Sequence, residues 1–288
     1  MHSLSRGAVR AIIDDQYGAS IRSAVLGTAP LLREAADGVT DPLAMGCFPC
    51  APYFGRVFEP ISRHGVVHRL NPTHTGASPD TALHGEGWQK RWTVIAKDAD
   101  TLHLETRSEG RAPGEFPFAW TARQTVTLLN DGLTVSLTVT NDDDTPAPMG
   151  AGLHPYLPYH RDMTITLPHT RWIAPPGLAL APLADGLFKT PTRVPDDVLD
   201  HSFVCTPDRP TPVTLSAPGI CLTLETPAPF VHSYHPPDAP FICVEPISHL
   251  PGAVDEASPQ TLITPGECAA VSFTLRMTQE AHSALSPA

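Results

Sequence analysis

The stretch FAWTARQTVTLLNDGLTVSLTVTND, residues 118–142, constrains this chain more than any other, because two alternating runs of apolar and polar residues meet at Asn130-Asp131-Gly132. A period of two puts every second side chain on one face of a strand, and an Asx-Gly pair supplies the positive φ angles of a tight hairpin turn. Val126 and Leu128 share a face on the first run; Leu133, Val135, Leu137 and Val139 share one on the second. Two half-buried antiparallel strands are predicted.

Similar short runs recur at VRAIID, TLHLET, MTITLP, VTLSAP, ICLTLET, FICVEP and AAVSFTLRM, separated by proline, glycine and aspartate clusters. No amphipathic helical period lasts beyond two turns, and the 33 prolines, about twice the usual share, oppose long helices. The expectation is an all-β protein, a large antiparallel β-sandwich or barrel. With no linker or composition break, residues 1–288 are predicted to form a single domain, with about 279–288 as a solvated tail. Proline-rich patches such as TPDRPTP are expected to be long loops at a sheet edge.

A net charge of −11 disfavours nucleic acid and anionic membranes as partners, since both need a positive field. A neutral small molecule is the simplest match. No apolar run is long enough for a bilayer span, so a soluble, cytoplasmic protein is expected, monomer or homodimer. The six cysteines, Cys47, Cys50, Cys205, Cys221, Cys243 and Cys268, lack the second close pair that a zinc ribbon requires and read as buried free thiols.

Four polar clusters stand out: PYFGRVF with Arg56, ALHGEGWQKRW with His84, Trp88 and Trp92, GAGLHPYLPY with His154, and FICVEPISH with Glu245. A carboxylate ending a buried strand just before a proline is expensive unless it is paired or used. A histidine between glycines, a proline and two tyrosines is similarly aimed, and tyrosine rings suit a ligand that is both apolar-faced and hydroxylated.

In this order the clusters resemble those of the aldose 1-epimerases of the galactose mutarotase type. MGCFPCAPYFGRV is similar to the family's arginine segment, LHGEGWQKRW to its first histidine motif, GLHPYL to its second, LDHSF to an aspartate segment at Asp200, and FICVEP to the segment with the catalytic glutamate. The resemblance implies a galactose mutarotase-like sandwich that interconverts the α and β anomers of a sugar without metal or other cofactor. It makes Glu245 the base and His154 the acid, on opposite sides of the bond that opens. A bell-shaped pH dependence is expected, its lower limb from the carboxylate and its upper limb from the histidine. By the same carry-over Arg56, His84 and Asp200 hold sugar hydroxyls, and Trp88 packs on the sugar's apolar face. Two departures bear on specificity: Gly55 precedes Arg56 where many members have Asn, and GLHPYL differs from the Asn-His-Ser-Tyr pattern of galactose-specific members. His232, Tyr234 and His235 read as loop residues beside the pocket.

Three alternatives compete. Arg63 and Arg69, near Arg56, are compatible with a hexose-6-phosphate 1-epimerase. A non-catalytic carbohydrate-binding protein needs the fold but neither acid nor base. HGVVH, with His64 and His68, is compatible with a histidine metal site, although no carboxylate completes the ligand set.

Overall fold

The computed structural model describes residues 1–74, 81–206, 209–254, 258 and 261–278; the expected tail at 279–288 lies outside the described residues. Two antiparallel sheets dominate. The eight-stranded sheet is ordered Thr93–Lys97, Thr101–Ser108, Trp120–Leu128, Gly132–Asn141, Cys268–Thr278, Ile220–Thr226, Thr211–Ala217, Thr164–Thr166. At its centre lies the hairpin that the sequence announces, in register from Leu128↔Leu133 to Trp120↔Asn141. TPDRPTP is shorter as a loop than expected, since Thr211 and Pro212 already belong to a strand.

The ten-stranded sheet carries His2–Arg6, Val9–Asp14, Ser20–Leu26, Cys47–Cys50, Gly152–Pro158, Phe241–Ile247, Phe230–His235, Leu199–Val204 and Arg171–Ile173 in that order, with Ala29–Leu32 paired beside Ser20–Leu26. One face packs against the eight-stranded sheet through a core to which Leu153, Leu157, Ile242, Val244, Val231, Leu199 and Phe203 contribute from one side and Val126, Leu128, Leu133, Val135, Leu137 and Phe273 from the other. This is the expected sandwich.

Period two then decides what faces away. With Leu153, Val244, Val231 and Leu199 turned inward, His154, Glu245, His232 and Asp200 must turn to the opposite face. That face is covered too, by a second cluster of Phe48, Cys50, Phe54, Trp88, Tyr156, Phe230, Cys243 and Ile247. The site therefore lies on a sheet buried on both sides.

Four cysteines are buried as expected, but Cys221 is half-buried and Cys268, at the first position of an outer-facing strand end, is exposed. His64 stands in the turn between Ile61–Arg63 and Val66–His68, while His68 lies opposite Ile61 on the returning strand. The hairpin separates the two histidines, and the nearby Asp143 and Asp144 are engaged by Arg63 at 2.9 and 3.8 Å.

Candidate active site

Glu245 and His154 come from neighbouring strands. The ladder between them holds at Gly152↔Ile247 and Tyr156↔Cys243 and is broken in the middle, where each residue precedes a proline with no N–H to give. His154 Nε2 lies 3.4 Å from Glu245 Oε2. The two groups are adjacent. Adjacency suits a hemiacetal, whose ring oxygen and hydroxyl sit on the same carbon.

Glu245 is 1% exposed, and neither carboxyl oxygen has a hydrogen-bond partner among the described residues. Burial, with Asp200 adding repulsion, pushes its pKa well above the ordinary carboxylate value. His154 stacks on Phe48 and Tyr156, with centroids at 4.5 and 4.7 Å. Burial first, then the neighbouring His232, push its pKa down to about 3. Both shifts favour the uncharged forms of the two groups.

Arg56 and His84 are brought in by a second small ladder, Arg56↔Leu83 and Val57↔Ala82. Gly85, at φ 68°, presses on the backbone of Ala51, where a Cβ would collide with the Ala51 carbonyl. This close approach explains the glycine after His84 and forces His84 itself to φ 57°. His84 Nδ1 accepts the Gly55 N–H at 3.2 Å, so its proton sits on Nε2. Burial, then the neighbouring His154 and Arg56, hold it neutral, well below pKa 6.5. Gly55, at φ 82°, packs against Pro251, a conformation that an asparagine adopts only with strain and crowding there.

Asp200 meets His232 Nε2 at 3.0 Å, and His232 Nδ1 lies 2.9 Å from Ser202 Oγ. Burial pushes the Asp200 carboxyl up, but the His232 contact and the Arg56 charge outweigh it and leave the pKa lowered. His232 and Tyr234 belong to the strand Phe230–His235, with His232 directly opposite Glu245, so their expected place in a loop is corrected. His235 points elsewhere, its Nδ1 meeting the Phe241 carbonyl at 2.7 Å.

A cavity of about 290 Å³ joins Glu245, His154, Arg56, His84, Asp200 and His232, walled by Phe54, Tyr156, Tyr234 and Phe241. Trp88 does not line it. Its indole N–H donates to the carbonyls of Leu83 and Gly85 and its ring packs 5.7 Å from Phe48, so it supports the His84 turn from below. The placement of Trp88 on a sugar face is corrected accordingly. Arg63 and Arg69 also lie outside the cavity, Arg63 paired with Asp143 and Arg69 lining a separate depression with Glu59.

The cavity brings together Arg56, His84, His154, Asp200 and Glu245, the residues that the family resemblance singles out. A family model for aldose 1-epimerases matches residues 2–276. The chain belongs to the aldose 1-epimerase family. Among its relatives, the Escherichia coli K12 protein YphB, whose name carries no activity, is 27% identical over 300 residues, covering 96% of this chain and 98% of YphB. A crystal structure from Escherichia coli K12, named as a candidate aldose 1-epimerase, superposes with a TM-score of 0.80 at 26% identity, covering 96% and 98% of the two chains. The galactose 1-epimerase of Lactobacillus acidophilus NCFM shares the fold, with a TM-score of 0.75 at 16% identity and coverages of 97% and 94%.

His154, Cys243 and Glu245 bring one nitrogen, one sulfur and one oxygen within 4.8 Å of one another. Burial, and then the repulsion of Glu245, push the Cys243 thiol well above its usual range, away from the thiolate that a metal would need. Sequence reasoning missed Arg33 and His249, and of the two tyrosines it set beside His154 only Tyr156 reaches the cavity. Arg33 and Tyr156 line the cavity. His249 Nε2 accepts the Phe54 N–H at 3.2 Å while its Nδ1 meets the Leu250 carbonyl at 2.9 Å, and its pKa is lowered to about 4 by burial. Neither Arg33 nor His249 carries a local signal, since each owes its place to a distant strand or loop.

Proposed function

We propose that the cavity interconverts the α and β anomers of an aldose, with Glu245 as base and His154 as acid. The observation that carries this reading is a buried carboxyl whose two oxygens have no hydrogen-bond partner among the described residues, 3.4 Å from a buried imidazole. Sugar hydroxyls supply the missing donors to Glu245, favour its ionised form and transfer its proton to His154. Glu245 then takes the proton of the anomeric hydroxyl while His154 gives its own to the ring oxygen. The bond between the anomeric carbon and the ring oxygen breaks, and an aldehyde forms. Rotation about the adjoining carbon–carbon bond presents the other face, and the same two transfers run backwards.

The remaining groups orient the ring. Arg56 and His84 Nε2–H act as donors, and Asp200, fixed through one oxygen by His232, accepts from hydroxyls. Protons and charges balance without a metal or nucleotide. The test is polarimetry of fresh α-glucose, α-galactose and their 6-phosphates, corrected for spontaneous mutarotation. Acceleration that Glu245→Gln or His154→Asn lowers by roughly 10²–10⁴-fold supports the roles. Failure to accelerate any aldose would leave a carbohydrate-binding protein as the better account.

A further inference from the structure

Arg33 has no part in this proton exchange, yet it lines the same cavity. Its guanidinium is held rigidly: Nε donates to the Met45 carbonyl at 3.1 Å, and Nη2 donates to the carbonyls of Leu43 and Met45, each at 2.6 Å. It lies over the Tyr156 ring at 3.6 Å from the centroid and over Phe241 at 4.8 Å. No carboxylate among the described residues pairs with it, and Nη1 has neither a carbonyl nor a carboxylate acceptor there. Neutral carbonyls fix the fork without cancelling its charge.

The carboxyls of the cavity sharpen the point. Of the two carboxyls that line it, Asp200 meets His232 at 3.0 Å and Glu245 lies 3.4 Å from His154, and neither pairs with Arg33 among the described residues. Arg33 is thus a cation without a carboxylate partner among the described residues, within a chain of net charge −11. Such a cation facing an aromatic-walled cavity strengthens its attraction for an anion, because the surroundings screen it less than water does.

The position of the charge matters as well. Arg33 touches Tyr156, and Tyr156 stacks on His154, the group assigned to the ring oxygen. Arg56 gathers with His84 and Asp200. In a hexopyranose the exocyclic carbon, C6, is attached to the ring carbon bonded to that oxygen, so a substituent on C6 extends from the His154 side. We propose that Arg33 is an anion subsite and that the aldose accepted here carries a negative group, carboxylate or phosphate, on C6. This rests on the epimerase reading of the cavity for its orientation, though not for the binding of the anion itself.

The test is two-dimensional exchange NMR between the anomeric protons of equilibrium glucose, glucuronate and glucose 6-phosphate with catalytic amounts of protein. The wild type should exchange at least one anionic sugar about 10–100-fold more efficiently than glucose, as a charge-assisted hydrogen bond allows. Whichever of glucuronate and glucose 6-phosphate is faster identifies the anion. Arg33→Met should bring the ratio of anionic sugar to glucose near one, and Arg33→Lys should keep part of it. Glucose preferred by the wild type, or Arg33→Met slowing all three sugars alike, overturns the proposal. Calorimetric binding of glucuronate and inorganic phosphate to wild type and Arg33→Lys forms a second arm. Weaker binding by the variant with no exchange of any sugar sustains the subsite while defeating the epimerase reading; equal binding by both proteins defeats the subsite.

Discussion

Replacing Glu245 by Gln should make this protein more stable as pH rises, while removing its proposed activity. Glu245 is 1% exposed with no donor on either oxygen, and burial holds its folded pKa well above 4.5. Below the unfolded pKa both forms of the residue are neutral in both states, so wild type and variant respond alike. Above it the unfolded chain releases the Glu245 proton and the folded chain does not. Wild-type stability therefore falls by about 1.4 kcal/mol per pH unit until the folded pKa is reached, and the glutamine, which never titrates, escapes that loss. Between pH 5 and pH 7 the advantage of Glu245→Gln should grow by up to ~3 kcal/mol, or several degrees in melting temperature for a chain of this length. Differential scanning calorimetry of both proteins at pH 5, 6 and 7 reads the difference directly, and other titrating groups cancel in it. A difference that stays flat with pH, or that turns in favour of wild type as pH rises, would refute the assignment of a buried, proton-holding carboxyl.

Four further outcomes are expected. Arg56→Ala and His84→Ala should raise KM more than they lower kcat in steady-state assays, since they hold hydroxyls and move no proton. Trp88→Phe should leave KM within about twofold but cost ~1–3 kcal/mol in denaturant melts, because the carbonyls of Leu83 and Gly85 lose their buried donor. His249→Leu should raise KM by orphaning the Phe54 N–H two residues before Arg56, and His249→Gln, which can still accept that N–H, should restore most of it. Since its folded pKa is about 4 against an unfolded value near 6.5, His249 destabilises the protein progressively as pH falls from 6.5 towards 4, and acid melts of His249→Gln should show a shallower loss.

The sequence by itself determined the sandwich and most of the chemical roster. Val126, Leu128, Leu133 and Val135 alternate visibly because the other face of their sheet meets water, so polarity records orientation. The local motifs around Arg56, His84, His154, Asp200 and Glu245 named the groups, and the glycine after His84 reflects a contact with Ala51 that the chain cannot make with a side chain there. Only the tertiary structure decided how those groups meet. In Gly152–Pro158, Phe230–His235 and Phe241–Ile247 both faces are buried, so no alternation of polarity told which way His154, His232 or Glu245 points, and His232 passed for a loop residue. The burial that favours the uncharged forms of Glu245 and His154 comes from distant segments, and the guanidinium of Arg33 is held by backbone carbonyls 10 and 12 residues away. Short-range patterns specify strands and turns because those obey local geometry; solvation and charge balance in a cavity sum over every strand that lines it, and no window of sequence contains that sum.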